Sequence, residues 1–142
     1  MNNNNHLEQI RLVHASMLGK WMQFRNIYKS LKIRLEDVSV KRYFQWIDPF
    51  FYDKTGKIRW DVIRELMPRN IEKSIKREYD TLSENETRLC CLLLFDVPVY
   101  DIADILPYTQ KSIYTVTNRI RKKTGMIDIR ASLKKFVVCE EI

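Results

Sequence analysis

Between Thr109 and Gly125 the chain sets Lys111, Tyr114, Thr115, Asn118 and Lys122 at intervals of three, one, three and four residues. On a helix these intervals gather the five side chains on one face and leave Ile113, Val116 and Ile120 on the opposite one. Their chemistry is recognition, not bond making. Amide and hydroxyl groups exchange hydrogen bonds with base edges, ammonium groups hold phosphates, and a helix has the width to enter a major groove. Residues 107–125 contain Lys111, Arg119, Arg121, Lys122 and Lys123 with no acid, a local charge of +5. Residues 83–106 carry Glu84, Glu86, Asp96, Asp101 and Asp104 against Arg88 alone, a local −4. A solvated basic helix face would give the same charge signature by itself.

Three further elements must hold such a helix in place. Thr109 is spaced to cap its start and Gly125 to end it in a left-handed turn. Pro107 and Tyr108 form the connection from a short helix over Val99 to Leu106, with Ile102, Ala103 and Leu106 inward. Before that, Ser83 and Glu86 have capping-box spacing ahead of an apolar run through Leu89, Cys90, Leu92, Leu93 and Leu94. Asp96-Val97-Pro98 breaks that helix. After Gly125, Asp128 can cap a fourth helix carrying Ile129, Leu133, Phe136 and Val137.

Laid out this way, Leu82 to Met126 resembles the LuxR-type (GerE-like) helix-turn-helix DNA-binding domain of bacterial transcriptional regulators, and the likeness extends to about residue 138. The family's opening Leu-Thr/Ser and glutamate match Leu82, Ser83 and Glu86. Its Glu/Asp-Ile-Ala signature matches Asp101, Ile102 and Ala103, followed by Leu106. Thr109, the pair Ser112-Ile113 and the closing run Lys122-Lys123-Thr124-Gly125 match the rest. The resemblance implies double-stranded DNA as the partner. It implies base contacts from Tyr114, Thr115 and Asn118, and backbone contacts from Thr109, Lys111, Ser112 and Lys122, to which Arg119 and Lys123 are added as further cations. Three positions depart from the pattern. Asp96 stands where a glycine is usual, Pro98 where a serine or threonine often caps, and Val116 where a histidine is common. The stretch from Leu66 to Cys90 is similar to the output region of certain membrane-anchored or repeat-containing bacterial regulators, in which a helical, aromatic-rich linker feeds such a reader. That likeness implies a possible upstream sensor domain, with a membrane approached only through an upstream anchor.

The N-terminal half offers periodicity instead of a motif. Leu7, Ile10, His14, Met17, Trp21, Phe24, Tyr28, Leu31 and Leu35 follow a strict three-four alternation, a heptad seam on a helix over about residues 6–36. Two uses compete: a homodimeric coiled coil, with Ile10, Met17, Trp21, Phe24, Tyr28 and Leu31 as dimerisation candidates, or an amphipathic helix packed on its own chain. Met1 to Asn5 reads as a disordered lead-in. Asp37 or Ser39 can cap a second helix over about 39–47 that Pro49 ends. Asp53 to Lys57 is a turn, Ile58 to Met67 resumes helical spacing, and Pro68 is placed to start another helix reaching Tyr79.

The fold class is therefore all-α: a long N-terminal amphipathic helix, a helical linker region and a C-terminal four-helix unit. The expected divisions are a lead-in at 1–5, a dimerisation and linker region at 6–80 and a DNA-binding domain at 81–142. Three glycines and four prolines in 142 residues favour long helices over a turn-rich β fold, and a net charge of +7 permits a polyanionic partner. Three cysteines without a CxxC or Cys/His spacing argue for reduced thiols in a reducing, cytoplasmic compartment, with no metal. No secretory signal is evident. Two histidines far from the cysteines, and no phosphate-binding loop, assemble no catalytic constellation. No enzyme activity, cofactor or small-molecule substrate is expected. Two other readings of the helices are a promoter-recognising region of the sigma-factor kind and a protein-interaction adaptor without DNA binding.

Overall fold

The computed structural model describes residues 3–35 and 38–137. Among them the chain forms eight α-helices and no strand: α1 Asn3–Arg34, α2 Val38–Phe51, α3 Trp60–Glu65, α4 Ile71–Glu78, α5 Glu84–Leu94, α6 Val99–Ile105, α7 Gln110–Thr124 and α8 Ile129–Leu133. A 3-10 turn, Lys134–Val137, follows α8 directly. The expected all-α class holds.

Helix α5 is the axis of the core. Leu89, Cys90, Cys91, Leu92 and Leu94 are all fully buried, so the helix is apolar around most of its circumference. Such a helix has to be surrounded by others. It is: α4 and α8 pack on it, α6 packs on α7, and α1 lies across the 3-10 turn. One continuous cluster joins Leu18 and Met22 of α1 to Ile63, Ile75, Leu89, Ile102, Ile113, Ile120 and Leu133, so side chains before and after residue 80 share a single core. Both cysteines of the adjacent pair are unpaired and buried, and burial pushes the Cys90 thiol up to about 12 and Cys91 well above its ordinary value. Cys139 lies outside the described residues.

The long helix behaves differently from a simple seam. Its inward face is Arg11, Leu18, Met22, Arg25 and Tyr28, with His14 and Trp21 half-buried. Met17, Phe24 and Leu31 stay exposed. The expected heptad set is therefore split: His14, Trp21 and Tyr28 turn toward the chain's own core, and Ile10 packs partly against it. Of the six dimerisation candidates, Ile10, Trp21 and Tyr28 are thus engaged internally. The two halves of the seam lie about 60° apart around the helix, and the approach of Leu66, Phe51 and Phe44 to one of them decides which half is buried. His14 Nδ1–H donates to the Leu66 carbonyl at 2.9 Å, a packing role.

Two buried arginines, spaced on the same inward face, tie α1 to the second half of the chain. Arg11 gives Nη1–H to Asp96 Oδ2 at 2.7 Å and to the Leu94 carbonyl at 3.2 Å, closing the end of α5. Glu8 grips the same guanidinium at 2.5 Å, and with Arg11 first and Lys134 second its carboxyl is held down at about 2. Arg25 bonds Asp104 Oδ2 at 2.9 Å and Asp101 Oδ1 at 3.2 Å, both on α6. Between α2 and α3, the turn at Asp53 to Lys57 also reaches α6. Lys57 Nζ donates to the Ala103 carbonyl at 2.8 Å, and Ile58 N–H to the Asp104 carbonyl at 2.9 Å.

Local expectations about helix ends need four corrections. The helix begins at Asn3, so the asparagines from Asn3 to Asn5 are helical instead of a disordered lead-in. Helix α2 runs through Pro49 to Phe51, because the loss of one amide in the last turn is tolerated while Tyr52 N–H still reaches the Asp48 carbonyl at 2.9 Å. Ser39 is inside α2, and Asp37 lies outside the described residues. Helix α3 occupies only Trp60–Glu65, since the stretch from Ile58 opens in extended backbone. Pro68 does not start α4: Asn70 adopts φ 67°, and the left-handed residue delays the helix to Ile71.

Candidate nucleic-acid interface

Helix α7 is set by its two ends and by one carboxylate beneath it. At the start, Thr109 Oγ1 accepts from Ser112 N–H at 3.1 Å and Ser112 Oγ accepts from Thr109 N–H at 2.9 Å, a reciprocal cap. At the finish, Gly125 takes φ 78°, the left-handed conformation that a side chain resists. Ile113, Val116 and Ile120 are buried on the inner face as their spacing predicts.

The carboxylate is Glu86. It caps α5 by accepting from Ser83 N–H at 2.8 Å, and it receives Arg119 Nε at 2.9 Å and Lys123 Nζ at 2.8 Å from α7. Burial by itself raises such a carboxyl. Here the Lys123 ammonium, the Ser83 amide and the Arg119 guanidinium outweigh it and hold the pKa at about 2. Glu86 is thus a charged bolt between α5 and α7, almost wholly buried. The sequence marks it only as a capping residue.

The connection before α6 holds a second constraint. Asp96 takes φ 62°, a conformation that glycine would adopt without strain. Its carboxylate collects Arg11 at 2.7 Å and Arg130 at 2.5 Å. A short polar residue tolerates the left-handed region best after glycine, and here the carboxylate joins α1, the α5–α6 turn and α8. Pro98 stands at the start of α6 without a side-chain cap, its extended backbone leading into the helix.

The outer face of α7 differs in kind. Lys111, Tyr114, Thr115 and Lys122 are exposed and make no side-chain hydrogen bond or ion pair among the described residues, with Tyr114 64% exposed. Asn118 lies on the same face, and its Oδ1 accepts from Arg121 Nη1 at 3.0 Å. Arg121 is anchored in turn by Nε donation to the Ile127 carbonyl at 3.0 Å. The amide nitrogen of Asn118 is therefore left as the outward donor.

The sequence-assigned residues accordingly separate into three groups. Lys111, Tyr114, Thr115, Asn118 and Lys122 share one outward stripe. Thr109 and Ser112 sit at its head with their hydroxyls bound into the cap. Arg119 and Lys123 lie on the flank, turned onto Glu86. Sequence reasoning assigned no role to Arg121, although its place three residues after Asn118 is the spacing at which helical side chains meet. It also passed over Arg11 and Arg25, whose positions in register with Leu18 and Met22 were the available signal.

Among the described residues no group of His, Cys, Asp and Glu side chains is arranged to hold a metal ion. No described helix is long and apolar enough to cross a membrane. In comparisons with protein-family models, curated proteins and solved structures, nothing matches the chain.

Proposed function

We propose that this chain is a sequence-specific DNA-binding transcriptional regulator in which α5, α6 and α7 form a LuxR-like helix-turn-helix unit and α7 enters the major groove. The observation that carries the reading is the division of labour on α7. Its cations at Arg119 and Lys123 are spent on Glu86, whereas Lys111, Tyr114, Thr115, Asn118 and Lys122 form an outward stripe, in which Asn118 alone has an internal partner. The caps and the Glu86 contacts fix the direction in which that stripe points.

In this reading Tyr114, Thr115 and Asn118 reach base edges, and Lys111 and Lys122 bracket them on phosphates. Asn118, its oxygen held by Arg121, offers an N–H donor suited to an acceptor such as a purine N7. Arg119 and Lys123 act chiefly by orienting the helix.

Binding-site selection from fragmented genomic or random DNA with the full chain tests this. Recovery of a defined motif whose affinity falls steeply with salt is the expected result. Recovery of no motif, together with no shift of any DNA at low salt, would remove the reading and leave α5 to α7 as scaffold for a protein-interaction surface.

A further inference from the structure

We propose that the α1–α2 hairpin is a homodimerisation face, and that its occupant is the same hairpin of a second copy of this chain. The two helices run antiparallel. Tyr28 stacks on Phe51 at 4.8 Å and meets Phe44 edge-on at 5.8 Å, its hydroxyl donates to Asp48, and Lys32 reaches Asp48 at 2.6 Å. Tyr28, Phe44 and Phe51 make a small aromatic core between the helices.

That core leaves one apolar stripe of each helix outside. On α1 the stripe is Met17, Phe24, Ile27 and Leu31. On α2 it is Tyr43, Trp46, Ile47 and Phe50. Taking 100° per residue, the α1 stripe lies about 60° from the line of contact with α2, and the α2 stripe about 110° from its own. Because the helices are antiparallel, both rotations carry the stripes to the same side of the hairpin. They form one face.

Three features select a second copy as the occupant. The first is area. Phe24, Tyr43, Trp46 and Phe50 are 61, 59, 66 and 69% exposed. With about 150–250 Å² per aromatic side chain, the exposed parts of these four come to roughly 400–600 Å², already the size of the largest apolar patch on a typical monomer. Exposed Met17, Ile27, Leu31 and Ile47 extend the face toward the about 800 Å² that each partner contributes to a standard specific interface.

The second is pattern. Met17, Phe24 and Leu31 recur every seven residues, and Ile27 falls between them at heptad spacing. This is a helix-pairing seam, rotated away from the positions that α1 uses for its own core. Two helical hairpins, each with one apolar face, close as a four-helix arrangement about a two-fold axis, in which the same patch serves both copies. The third is charge. No carboxylate interrupts either stripe; Lys20 sits within the α1 stripe, at the heptad position between Met17 and Phe24, and Arg42 borders the α2 stripe. Like charges then meet across the two-fold, so salt should tighten the contact.

The inference stands without the DNA-binding reading. Sedimentation equilibrium of the full chain, over a range of concentrations and salt, tests it. A dimer that is unchanged or tighter at high salt is expected. Trp46→Glu and Phe50→Glu should each raise the dimer dissociation constant at least ~30-fold. Their circular dichroism should match that of the parent, and so should their melting at concentrations where both are monomeric, because both side chains lie outside the core. A parent chain that stays monomeric at every concentration overturns the proposal, as does a dimer that neither substitution weakens. If that monomer floats with phosphatidylserine vesicles and is released by salt, the face belongs to a membrane surface instead.

Discussion

Glu86 and Arg119 meet at 2.9 Å, with the carboxylate almost wholly buried and the guanidinium half-exposed. The pair joins the first turn of α5 to the middle of α7, and Lys123 closes on the other oxygen at 2.8 Å. One residue therefore caps one helix and orients another, which ties the direction of the outward stripe to the start of the central core helix.

Acid should loosen this bolt. The Glu86 carboxyl is held at about 2 against an ordinary 4.5, so its stabilisation is fully present above about pH 4.5 and is lost as the pH falls toward 2. Glu86→Gln should lower stability by about 1–3 kcal/mol at pH 7, the value of hydrogen bonds to a buried charge. The difference from the parent should shrink through that window. Denaturant unfolding at a series of pH values reads both, and a loss independent of pH would show that the charge contributes nothing.

Arg25 carries a comparable prediction at the α1–α6 contact. Removing it leaves Asp101, itself 4% exposed, without its cation. Arg25→Ala should cost about 3–5 kcal/mol at neutral pH, as for other broken buried pairs. Burial already pushes the Asp101 carboxyl above 3.8, with Arg25 opposing. Without Arg25 the folded state favours the protonated acid further. The penalty should therefore be smallest below about pH 3.8 and grow as the pH rises through the raised folded value. Urea unfolding of the variant across pH 3 to 7 checks the sign.

On a selected DNA site, Asn118→Ala should cost about 1–3 kcal/mol and relax preference at one position. Lys122→Ala should weaken all sequences alike and reduce the salt slope by about one. Arg121→Ala, which frees the Asn118 amide to rotate, should blur the same position that Asn118→Ala does. Salt-titrated shift assays on matched and mismatched duplexes separate the three. Identical behaviour of Asn118 and Lys122 variants would place the stripe outside the groove.

Cys90 and Cys91 should resist alkylation. Both are fully buried, and burial holds their thiols protonated far above neutral pH. In a Cys139→Ser variant at pH 8, maleimide should label neither until denaturant is added. Rapid labelling of the native protein, followed by mass spectrometry, would contradict the packing of α5.

Much of the second half was legible because its signals are local. Capping at Ser83, Thr109 and Asp128, termination at Gly125 and the inward spacing of Ile113, Val116 and Ile120 all depend on residues within a few positions of one another. Such short-range chemistry is written in the sequence wherever backbone amides need partners. The outward stripe on α7 is readable for the same reason, since helical geometry alone assigns Lys111, Tyr114, Thr115, Asn118 and Lys122 to one face.

What the sequence by itself determined, then, is the all-helical class, the caps of α5, α7 and α8, and which face of α7 is polar. Tertiary structure alone decided that the flank cations Arg119 and Lys123 are engaged by a carboxylate. Arg119 and Lys123 are indistinguishable from Lys111 and Lys122 by composition, and only the approach of Glu86 from 33 and 37 residues away separates them. It likewise decided how the heptad seam of α1 is divided. His14, Trp21 and Tyr28 turn inward because Leu66, Phe51 and Phe44 come to meet them, and Met17, Phe24 and Leu31 are left outside. A periodic stripe states that a face will be buried; its partner is chosen by chain segments distant in sequence, which no local spacing encodes.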